Sequence, residues 1–287
     1  MINNILKILG VLIISPIAGG IMAGLDRKVT ARLQGRVGPP ILQPLYDVIK
    51  LLLKENIAVS RFQNIYVLIY LAFIAASVVM LTMETDLLTI VFVFTVANVA
   101  LITGAMGTGS PYAKVGALRE IIAMLCYEPI VLLYVVGMYI LSGSFRISSI
   151  AMMSKPMLVT MPVLYGAMVF VMIIKLKKSP LDLSTSHHGH QELVKGITTE
   201  YSGPALAVIE ISHWYESIFL LGLMFLFFKQ NVPVGLLVAA AAYAGTILID
   251  NTYGRLTWQW MVKVTWGIVI ELCAVNILFL YYFKMMA

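Results

Sequence analysis

Three ionisable side chains follow one another inside an otherwise apolar stretch, PALAVIEISHWYESIFLL. They are Glu210, His213 and Glu216, each three residues from the next. On a helix, residues three apart are surface neighbours, so the two carboxylates would flank the imidazole. An imidazole can accept and release a proton near neutral pH. The pattern predicts a proton relay inside a membrane, and an interhelical hydrogen-bond cluster with a structural role is the alternative.

A further acid, Glu128, lies within an apolar run that begins near Glu120. If the run is helical, the eight residues between them place Glu128 about 12 Å deeper. A carboxylate at that depth is costly unless it is protonated, paired or in contact with water. Pro129 would also free the carbonyl of Leu125 and create a local polar opening. Glu128 is therefore predicted to take part in ion transfer, and Glu271, in the last apolar run, is a second candidate.

The longest polar block of the chain covers residues 177–203 and reads KKSPLDLSTSHHGHQELVKGITTEYSG. It holds three of the four histidines and three carboxylates: His187, His188, His190, Asp182, Glu192 and Glu200. A loop of this length between two apolar runs is either disordered or functional. Because it lacks the monotony of a flexible linker, we predict a structured, site-bearing loop with a turn at Pro180 and a helix-capable HQELVKGI.

Metal chemistry is the alternative for the His-rich part of this block. HHGHQE does not match the helical HExxH pattern of zinc proteases, so no metal site is expected. The two cysteines, Cys126 and Cys273, lie separately inside apolar runs. Without CxxC or Cys/His spacing they cannot hold an iron–sulfur cluster. The chain is therefore expected to carry no redox centre or cofactor of its own.

These groups need a membrane-embedded scaffold to position them. The chain of 287 residues is 60% hydrophobic and only 12% charged, and its mean hydropathy is +0.92. Such a composition is typical of an integral membrane protein, so we predict an all-α fold in one polytopic domain, 1–287. Eight transmembrane helices are expected at about 5–25, 65–83, 87–106, 121–141, 158–176, 204–228, 233–250 and 264–283.

Basic residues predict how these spans are oriented. Most Lys and Arg fall in four segments that would share one side of the membrane: 26–64, 107–120, 175–203 and 251–263. By the positive-inside rule these loops are cytoplasmic and both termini lie outside. The net charge of +6 thus reflects topology. Nucleic-acid binding is disfavoured because no basic and aromatic residues are interleaved.

The segment 26–64 is too polar to span. Its first half places five charged residues at the membrane edge: Asp26, Arg27, Lys28, Arg32 and Arg36. They would anchor to anionic headgroups or bind a partner. An amphipathic helix is predicted to begin at Pro44. Its apolar face carries Leu45, Val48, Ile49 and Leu52. This helix would lie along the interface, brace neighbouring spans or dock a partner subunit.

Several stretches resemble a known family. DRKVTARLQGRVGPPILQPLYDVIKLLLKE resembles the first cytoplasmic loop of the membrane subunit of respiratory complex I that forms the floor of the quinone chamber. SPLDL followed by ELVKGITTEYSG resembles that subunit's Pro-Phe-Asp-Leu and Glu-Tyr-Ser loop. GALREIIAMLCYEP is similar to its fourth span, and IDNTYGRLTWQWM is a weaker match. The chain is identified as a member of the complex I superfamily.

Three departures from the quinone-reducing form indicate a branch. GPPILQP is shortened, HHGHQE replaces a mostly acidic run, and His213-Trp214 stands where that form tends to have Glu-Tyr. These features resemble the membrane subunit of energy-converting, membrane-bound nickel–iron (NiFe) hydrogenases, which include formate hydrogenlyase and ferredoxin-dependent hydrogenases. The resemblance implies eight tilted helices, of which a central group is similar to half of a proton antiporter.

The resemblance also implies roles for individual residues. The acidic loop beneath the hydrogenase module would comprise Asp182, Glu192 and Glu200. An inward route toward antiporter-like membrane subunits would continue through Glu128, Glu210 and His213. The small iron–sulfur subunit would contact Arg27, Arg32 and Arg36, and the histidines at 187, 188 and 190 would pack against the partner. The NiFe centre and iron–sulfur clusters would lie on the large and small subunits, beneath a prokaryotic plasma membrane.

The predicted function is that of a membrane anchor and coupling subunit. Electron transfer from ferredoxin or formate to protons would change the local charge and shift the pKa values of loop carboxylates and histidines. Protons or Na⁺ would then move along the buried acids. The alternatives are a quinone- or sulfur-reducing subunit of the same superfamily, a stand-alone ion transporter, and a scaffold whose buried acids only stabilise the bundle.

Overall fold

The computed structural model describes residues 2–151, 156–181, 193 and 195–286. Within these ranges the regular structure is helical, apart from one antiparallel bridge between Asp86 and Arg146. The α-helices are α1 Ile2–Leu33, α2 Gln43–Leu52, α3 Arg61–Thr82, α4 Leu87–Met106, α5 Pro111–Ser142, α6 Ile147–Ala151, α7 Met157–Thr160, α8 Pro162–Lys175, α9 Gly203–Leu226, α10 Val232–Thr252, α11 Trp258–Val264 and α12 Ile270–Met286. A 3₁₀ turn covers Gly196–Thr198, and a π turn at Thr265–Val269 joins α11 to α12.

In the described part of the chain, seven helices are long and apolar enough to cross a membrane. They are α1, α3, α4, α5, α9, α10 and the continuous unit of α11, the π turn and α12. The predicted all-α membrane fold is thereby confirmed.

The predicted span at 158–176 is divided into α7 and α8. Met161 between them has φ −129° and ψ 54°, an extended φ that suits the residue before Pro162. The 14 residues of α8 cover about 21 Å, less than the ~30 Å hydrocarbon core. Most of α8 is buried inside the protein, so it does not need to reach both membrane surfaces.

Two helices extend well beyond the predicted spans. α1 continues from the predicted end near residue 25 to Leu33, and α5 begins at Pro111 instead of residue 121. The prediction of a loop over 107–120 is therefore wrong for residues 111–120. Proline is well suited to a first helical position, and the Ser110 hydroxyl accepts a hydrogen bond from the Ala113 amide. Each of these 32-residue helices is about 48 Å long and projects past the hydrocarbon.

The chain divides into two compact units. The first comprises Met1–Met83, Phe92–Leu118 and Ser184–Phe219, and the second comprises Glu84–Val91, Arg119–Leu183 and Leu220–Ala287. The prediction of a single polytopic domain stays a prediction.

Helix α2 is bound to the first unit by part of its apolar face. Val48 packs with Ala207 and Trp214 of α9, and Leu45 lies against this cluster. The other two predicted apolar positions on α2 remain exposed. The amphipathic helix is thus confirmed, and it braces α1 and α9 with one edge while the other stays open to the interface.

The second unit is built around buried aromatic side chains. The Tyr134 hydroxyl donates to the Leu223 carbonyl at 2.9 Å. The Phe227 ring contacts Tyr134 and, edge to face, Tyr165. Helix α8 packs against both α10 and α12 of this unit. Together these contacts place α5, which carries Glu128, inside a packed helical core.

Candidate proton-transfer site

Three polar side chains of the first unit converge in the middle of α9 and α3. His213 Nδ1 lies 3.2 Å from Glu216 Oε2. The Tyr70 hydroxyl lies 3.3 Å from the same nitrogen and 3.4 Å from the same oxygen. Each of the three groups therefore contacts the other two. We call Tyr70, His213 and Glu216 the α9 triad.

The triad lies deep in the protein. Tyr70 is fully buried, and the side chains of Glu216 and His213 are 3% and 25% exposed. His213 is ten residues into α9, about 15 Å from its first residue. Ionisable groups held in such apolar surroundings are retained mainly where they carry ions or protons.

Two proton arrangements fit this geometry. In the first, a doubly protonated His213 donates through its Nδ1–H, together with the Tyr70 hydroxyl, to a Glu216 carboxylate. In the second, a protonated Glu216 donates to the bare Nδ1 of a neutral imidazole that keeps its proton on Nε2. One proton can therefore move across the 3.2 Å contact without a change of rotamer. The arrangement can thus store and transfer a proton.

Within the described ranges, a hydrogen bond links only two of the three predicted members of this cluster, and the role of the third, Glu210, stays a prediction. The prediction joined Glu210 to His213 and Glu216 because all three share one helix face. Glu210 is half-buried one turn earlier, and no hydrogen bond among the described residues links it to the triad. Tyr70 takes the third place instead. Little in the sequence indicated Tyr70, because it is one tyrosine within the long apolar run that forms α3.

The Glu-Tyr-Ser segment before α9 is fixed by contacts with distant parts of the first unit. Gln63 Nε2 donates to the Glu200 carbonyl at 2.8 Å. The Ser202 hydroxyl donates to the Ile57 carbonyl at 2.9 Å and accepts from the Ile57 amide at 3.2 Å. The prediction of an ordered loop is confirmed for this part, and the Glu200 side chain is held half-buried at the entrance to α9.

Tyr201 fills the space beneath this segment. A Cβ on Gly104 would lie 2.6 Å from the Tyr201 hydroxyl, so only glycine leaves room for the ring. Burial raises the pKa of Tyr201 well above its usual value. Its hydroxyl has no hydrogen-bond partner within the described ranges. The phenol therefore stays neutral, and its hydroxyl is a buried polar group one residue from Glu200.

Glu128 forms a separate candidate site in the second unit. Its side chain is half-buried in the interior of α5. Its Oε1 atom is fully buried and has no hydrogen-bond partner in the part of the chain that the structure describes. An unsatisfied buried carboxylate oxygen is expensive, which favours a functional role over a structural one.

Buried lysines of the second unit were missed by sequence reasoning. Lys175 Nζ lies 4.8 Å from the centroid of the Tyr127 ring, and Lys178 Nζ lies 3.7 Å from Asp250 Oδ2. The two lysines are 5% and 6% exposed, so both charges are taken out of water. The positive-inside rule had assigned them only a topological role. Buried cationic groups of this kind are candidates for a role in ion transfer.

Comparison with known proteins decides the family. The sequence profile described as NADH dehydrogenase matches residues 6–281, nearly the whole chain. The chain belongs to the NADH dehydrogenase family. This assignment confirms the predicted membership in the complex I superfamily.

Relatives within the NADH dehydrogenase family work in different complexes. Formate hydrogenlyase subunit 4 of Escherichia coli is 26% identical over 280 residues, covering 86% of this chain and 89% of that protein. An NADH-quinone oxidoreductase subunit of Anoxybacillus flavithermus is 27% identical over 292 residues, which cover 90% of this chain and 86% of that protein. Among solved structures, a chain of the membrane-bound sulfane sulfur reductase, an archaeal respiratory membrane complex, has a TM-score of 0.84. The two chains are 21% identical. The match covers 97% of this chain and 99% of the reductase chain, so the two share one fold.

As a member of the NADH dehydrogenase family, this protein is a membrane-embedded subunit of a multisubunit oxidoreductase complex. Its relatives come from bacteria and archaea. The predicted side for each loop and for the termini stays a prediction.

The predicted docking residues lie at the end of α1. Arg27 is already paired within the chain, because its Nη1 lies 2.9 Å from Asp47 Oδ2 on α2. Arg32 and Arg36 are exposed, whereas Asp26 and Lys28 are half-buried. The two outer arginines remain the better candidates for contact with a partner subunit.

Lowering the pH is expected to release α2 from α1 in part. Burial raises the pKa of Asp47, but hydrogen bonds from Gln43 and Arg27 and the charges of Arg27 and Lys50 outweigh it and hold the pKa below the usual value of an aspartate. The stabilisation by this ion pair is therefore present above the unfolded-state pKa of about 3.9 and is lost as the pH falls through the lower folded-state pKa. Because the pair is exposed, Asp47→Asn should cost less than about 1 kcal/mol at pH 7.

Thermal unfolding of purified wild type and Asp47→Asn between pH 7 and pH 3 checks this expectation. The difference in unfolding temperature between the two proteins should narrow as the pH falls below about 4. Glu55→Gln, at an exposed acid, serves as the control. A gap that stays constant over the whole range would contradict the prediction.

Some predicted site residues lie outside the described residues. They are Asp182, His187, His188, His190 and Glu192. Their roles stay predictions, as does the expectation that the His-rich segment binds no metal. Within the described ranges, no group of three or more His, Cys, Asp or Glu side chains is placed to bind a metal ion. Glu271 is described, and it is exposed on α12.

Proposed function

We propose that this chain is the membrane anchor and ion-coupling subunit of an energy-converting NiFe hydrogenase complex. In this proposal electrons from ferredoxin or formate reduce protons at a NiFe centre, through iron–sulfur clusters, on partner large and small subunits. The loops of this chain sense the change in charge, and the α9 triad and Glu128 respond by taking up and releasing H⁺, or by admitting Na⁺. Antiporter-like membrane subunits complete the complex.

The observation that carries the proposal is the α9 triad. Its two proton arrangements differ in charge distribution but share one set of heavy-atom positions. A unit charge arriving at the Glu-Tyr-Ser segment, about 15 Å away, changes the free energy of adding one proton to the triad by about 1 kcal/mol at an effective dielectric constant of 20. That energy changes the proton affinity of the triad about sixfold. A charge at this distance is therefore strong enough to bias proton uptake by the triad but not to fix it, as a reversible coupling step requires.

Support for the hydrogenase branch comes from sequence. The hydrogenlyase and quinone-type relatives are about equally identical to this chain. The shortened GPPILQP and the His213-Trp214 pair favour the hydrogenase type. In the structure His213 is a member of the triad, so this departure changes the chemistry of the site itself.

Glu128→Gln and Glu200→Gln test the proposal in the intact complex. Each variant removes one protonatable group while keeping its shape. We expect ion pumping per hydrogen formed to fall about tenfold or more, because a positioned acid or base contributes roughly 10²–10⁴ to proton transfer. Hydrogen evolution should remain within about twofold, since the redox centres are on partner subunits. The measurements are ion uptake into vesicles and hydrogen release in the same sample.

Glu55→Gln makes the same chemical change at an exposed acid and serves as the control. Pumping that is unchanged in both test variants would overturn the assignment. A uniform loss of pumping in the control as well would indicate a defect of assembly.

Reduction of a quinone is the second candidate, and one observation favours it. A cavity of about 220 Å³ lies between α3 and α9, lined by Asn56, Asn64, Val67, Leu68, Pro204, Ala205 and Val208. Asn64 Oδ1 is buried without a hydrogen-bond partner among the described residues, and a rotation of this side chain toward the cavity would let a quinol hydroxyl donate to it. The volume is below the roughly 300–1,000 Å³ of typical ligand pockets, which favours the hydrogenase assignment. Extraction of stoichiometric quinone from the purified complex would reverse that preference.

A sulfur-reducing complex is compatible with the same membrane subunit. The sulfane sulfur reductase chain has the same fold across nearly its whole length. Assays of the purified complex with protons and with polysulfide as alternative acceptors distinguish the two reactions.

A further inference from the structure

The last span of the chain carries an acid at its centre. This span, Trp258–Lys284, has 27 residues, and Glu271 is the central one, about 20 Å from either end. Glu271 is exposed on the surface of this chain. In the described spans the other ionisable groups near mid-depth are at least half-buried: Glu128, Glu210, His213 and Glu216. Glu271 thus differs from all of them in its surroundings.

The π turn explains why Glu271 faces outward. Thr265 and Cys273 are both fully buried, and they are eight residues apart. Two turns of α-helix take about seven residues, and the i→i+5 bonding of the π turn takes up the extra one. Glu271 therefore points about 160° away from Cys273 around the axis. Without the π turn Leu272 would face the core, and Glu271 would lie at its edge.

The surface around Glu271 is otherwise apolar. Ile268, one turn before Glu271, and Val275, Leu278 and Tyr282, which follow it at helical spacing, are each more than half exposed. We call these four residues together with Glu271 the Glu271 face. Hydrocarbon lipid is a suitable neighbour for the four but a costly one for a carboxylate. Local π turns are themselves rare and occur frequently at functional sites.

We propose that the Glu271 face binds a transmembrane helix of a different subunit, which places a Lys or Arg side chain against Glu271. A basic partner neutralises the carboxylate and allows both charges to remain at the membrane centre. A second copy of this chain fits less well, because a two-fold contact through this face would bring two Glu271 carboxylates together. The described spans also offer no exposed Lys or Arg at mid-depth for a head-to-tail contact.

The inference requires only that the chain is one subunit of a membrane complex. It does not depend on which reaction that complex drives. Hydrogen release and ion pumping therefore test the proposed function, and the recovery of a neighbouring subunit tests the Glu271 face.

A photo-crosslinking amino acid at Val275, one turn from Glu271, identifies the neighbour. It is introduced into the affinity-tagged chain within the whole complex in its native membrane. We expect one adduct with another subunit, and the crosslinked peptide should belong to a transmembrane segment that contains Lys or Arg. An adduct with a second copy of this chain, an adduct with a segment that has no basic residue, or crosslinking to lipid alone would each overturn the proposal.

Charge exchange then tests the ion pair. Glu271→Lys should reduce recovery of the mapped subunit with the tagged chain to about a tenth, and Glu271→Gln should have a smaller effect. Replacement of the partner's basic residue by Glu should restore recovery with Glu271→Lys. The amount of tagged chain in the membrane controls for insertion. Failure of the exchange to restore recovery, with normal insertion, would contradict the pairing.

Discussion

Glu216→Gln is expected to lower ion translocation by about a hundredfold while the complex still assembles and evolves hydrogen. Glutamine fits the same space and can accept the hydrogen bond from the Tyr70 hydroxyl, so the packing is kept. It cannot take up a proton from His213, so the proton can no longer move across the 3.2 Å contact. The size of the effect follows from the roughly 10²–10⁴ contributed by a positioned general acid or base. Ion uptake by vesicles that contain the whole complex is the measurement.

Two further variants make this result specific. Tyr70→Phe removes one hydrogen bond to Glu216 but leaves the His213–Glu216 contact, so its loss should be smaller, about tenfold. Ser212→Ala is the matched control, because Ser212 is a buried polar neighbour whose hydroxyl bonds within its own helix to the Val208 carbonyl. Translocation at the wild-type rate in Glu216→Gln would show that the triad only stabilises the bundle.

Gly24→Ala is expected to destabilise the first unit by about 3 kcal/mol or more. A Cβ at Gly24 would lie 1.8 Å from the Ile41 carbonyl oxygen, which is far inside van der Waals contact. The obstacle is backbone, so no side-chain rotation can relieve it, and the connection between α1 and α2 must move. Overpacking of this kind usually costs 1–3 kcal/mol and more where the backbone is displaced. Thermal unfolding of the purified protein should shift downward by roughly 5–10 °C.

Gly10→Ala in the same helix provides the control. Nothing lies within 4 Å of a Cβ at Gly10, so the substitution adds only helix propensity. It should leave stability unchanged or raise it by about 0.5–1 kcal/mol. Equal unfolding temperatures for the two variants would refute the close approach of α1 to the residues that precede α2.

Patterns along the amino-acid chain were sufficient to predict the class and family of this protein. Long apolar runs can only be buried in a bilayer as helices, because each helix satisfies its own backbone hydrogen bonds there. Spacing by threes was sufficient to predict the contact between His213 and Glu216, since that contact is local to one helix. The apolar residues that recur at helical spacing after Pro44 likewise predicted α2, because this spacing alone puts polar and apolar side chains on opposite faces of a helix.

The packing of the helices determines what these groups contact. Tyr70 and Glu216 are 146 residues apart, and no local period relates them. No local period relates Gln63 to Glu200 either, although Gln63 donates a hydrogen bond to the Glu200 carbonyl. Lys175 is buried, whereas a count of basic residues treats it as an exposed charge. The outward direction of Glu271 depends on a single extra residue in a π turn, a local change of bonding that hydropathy does not register. Periodicity encodes contacts along one helix, whereas contacts between helices depend on how their faces pack.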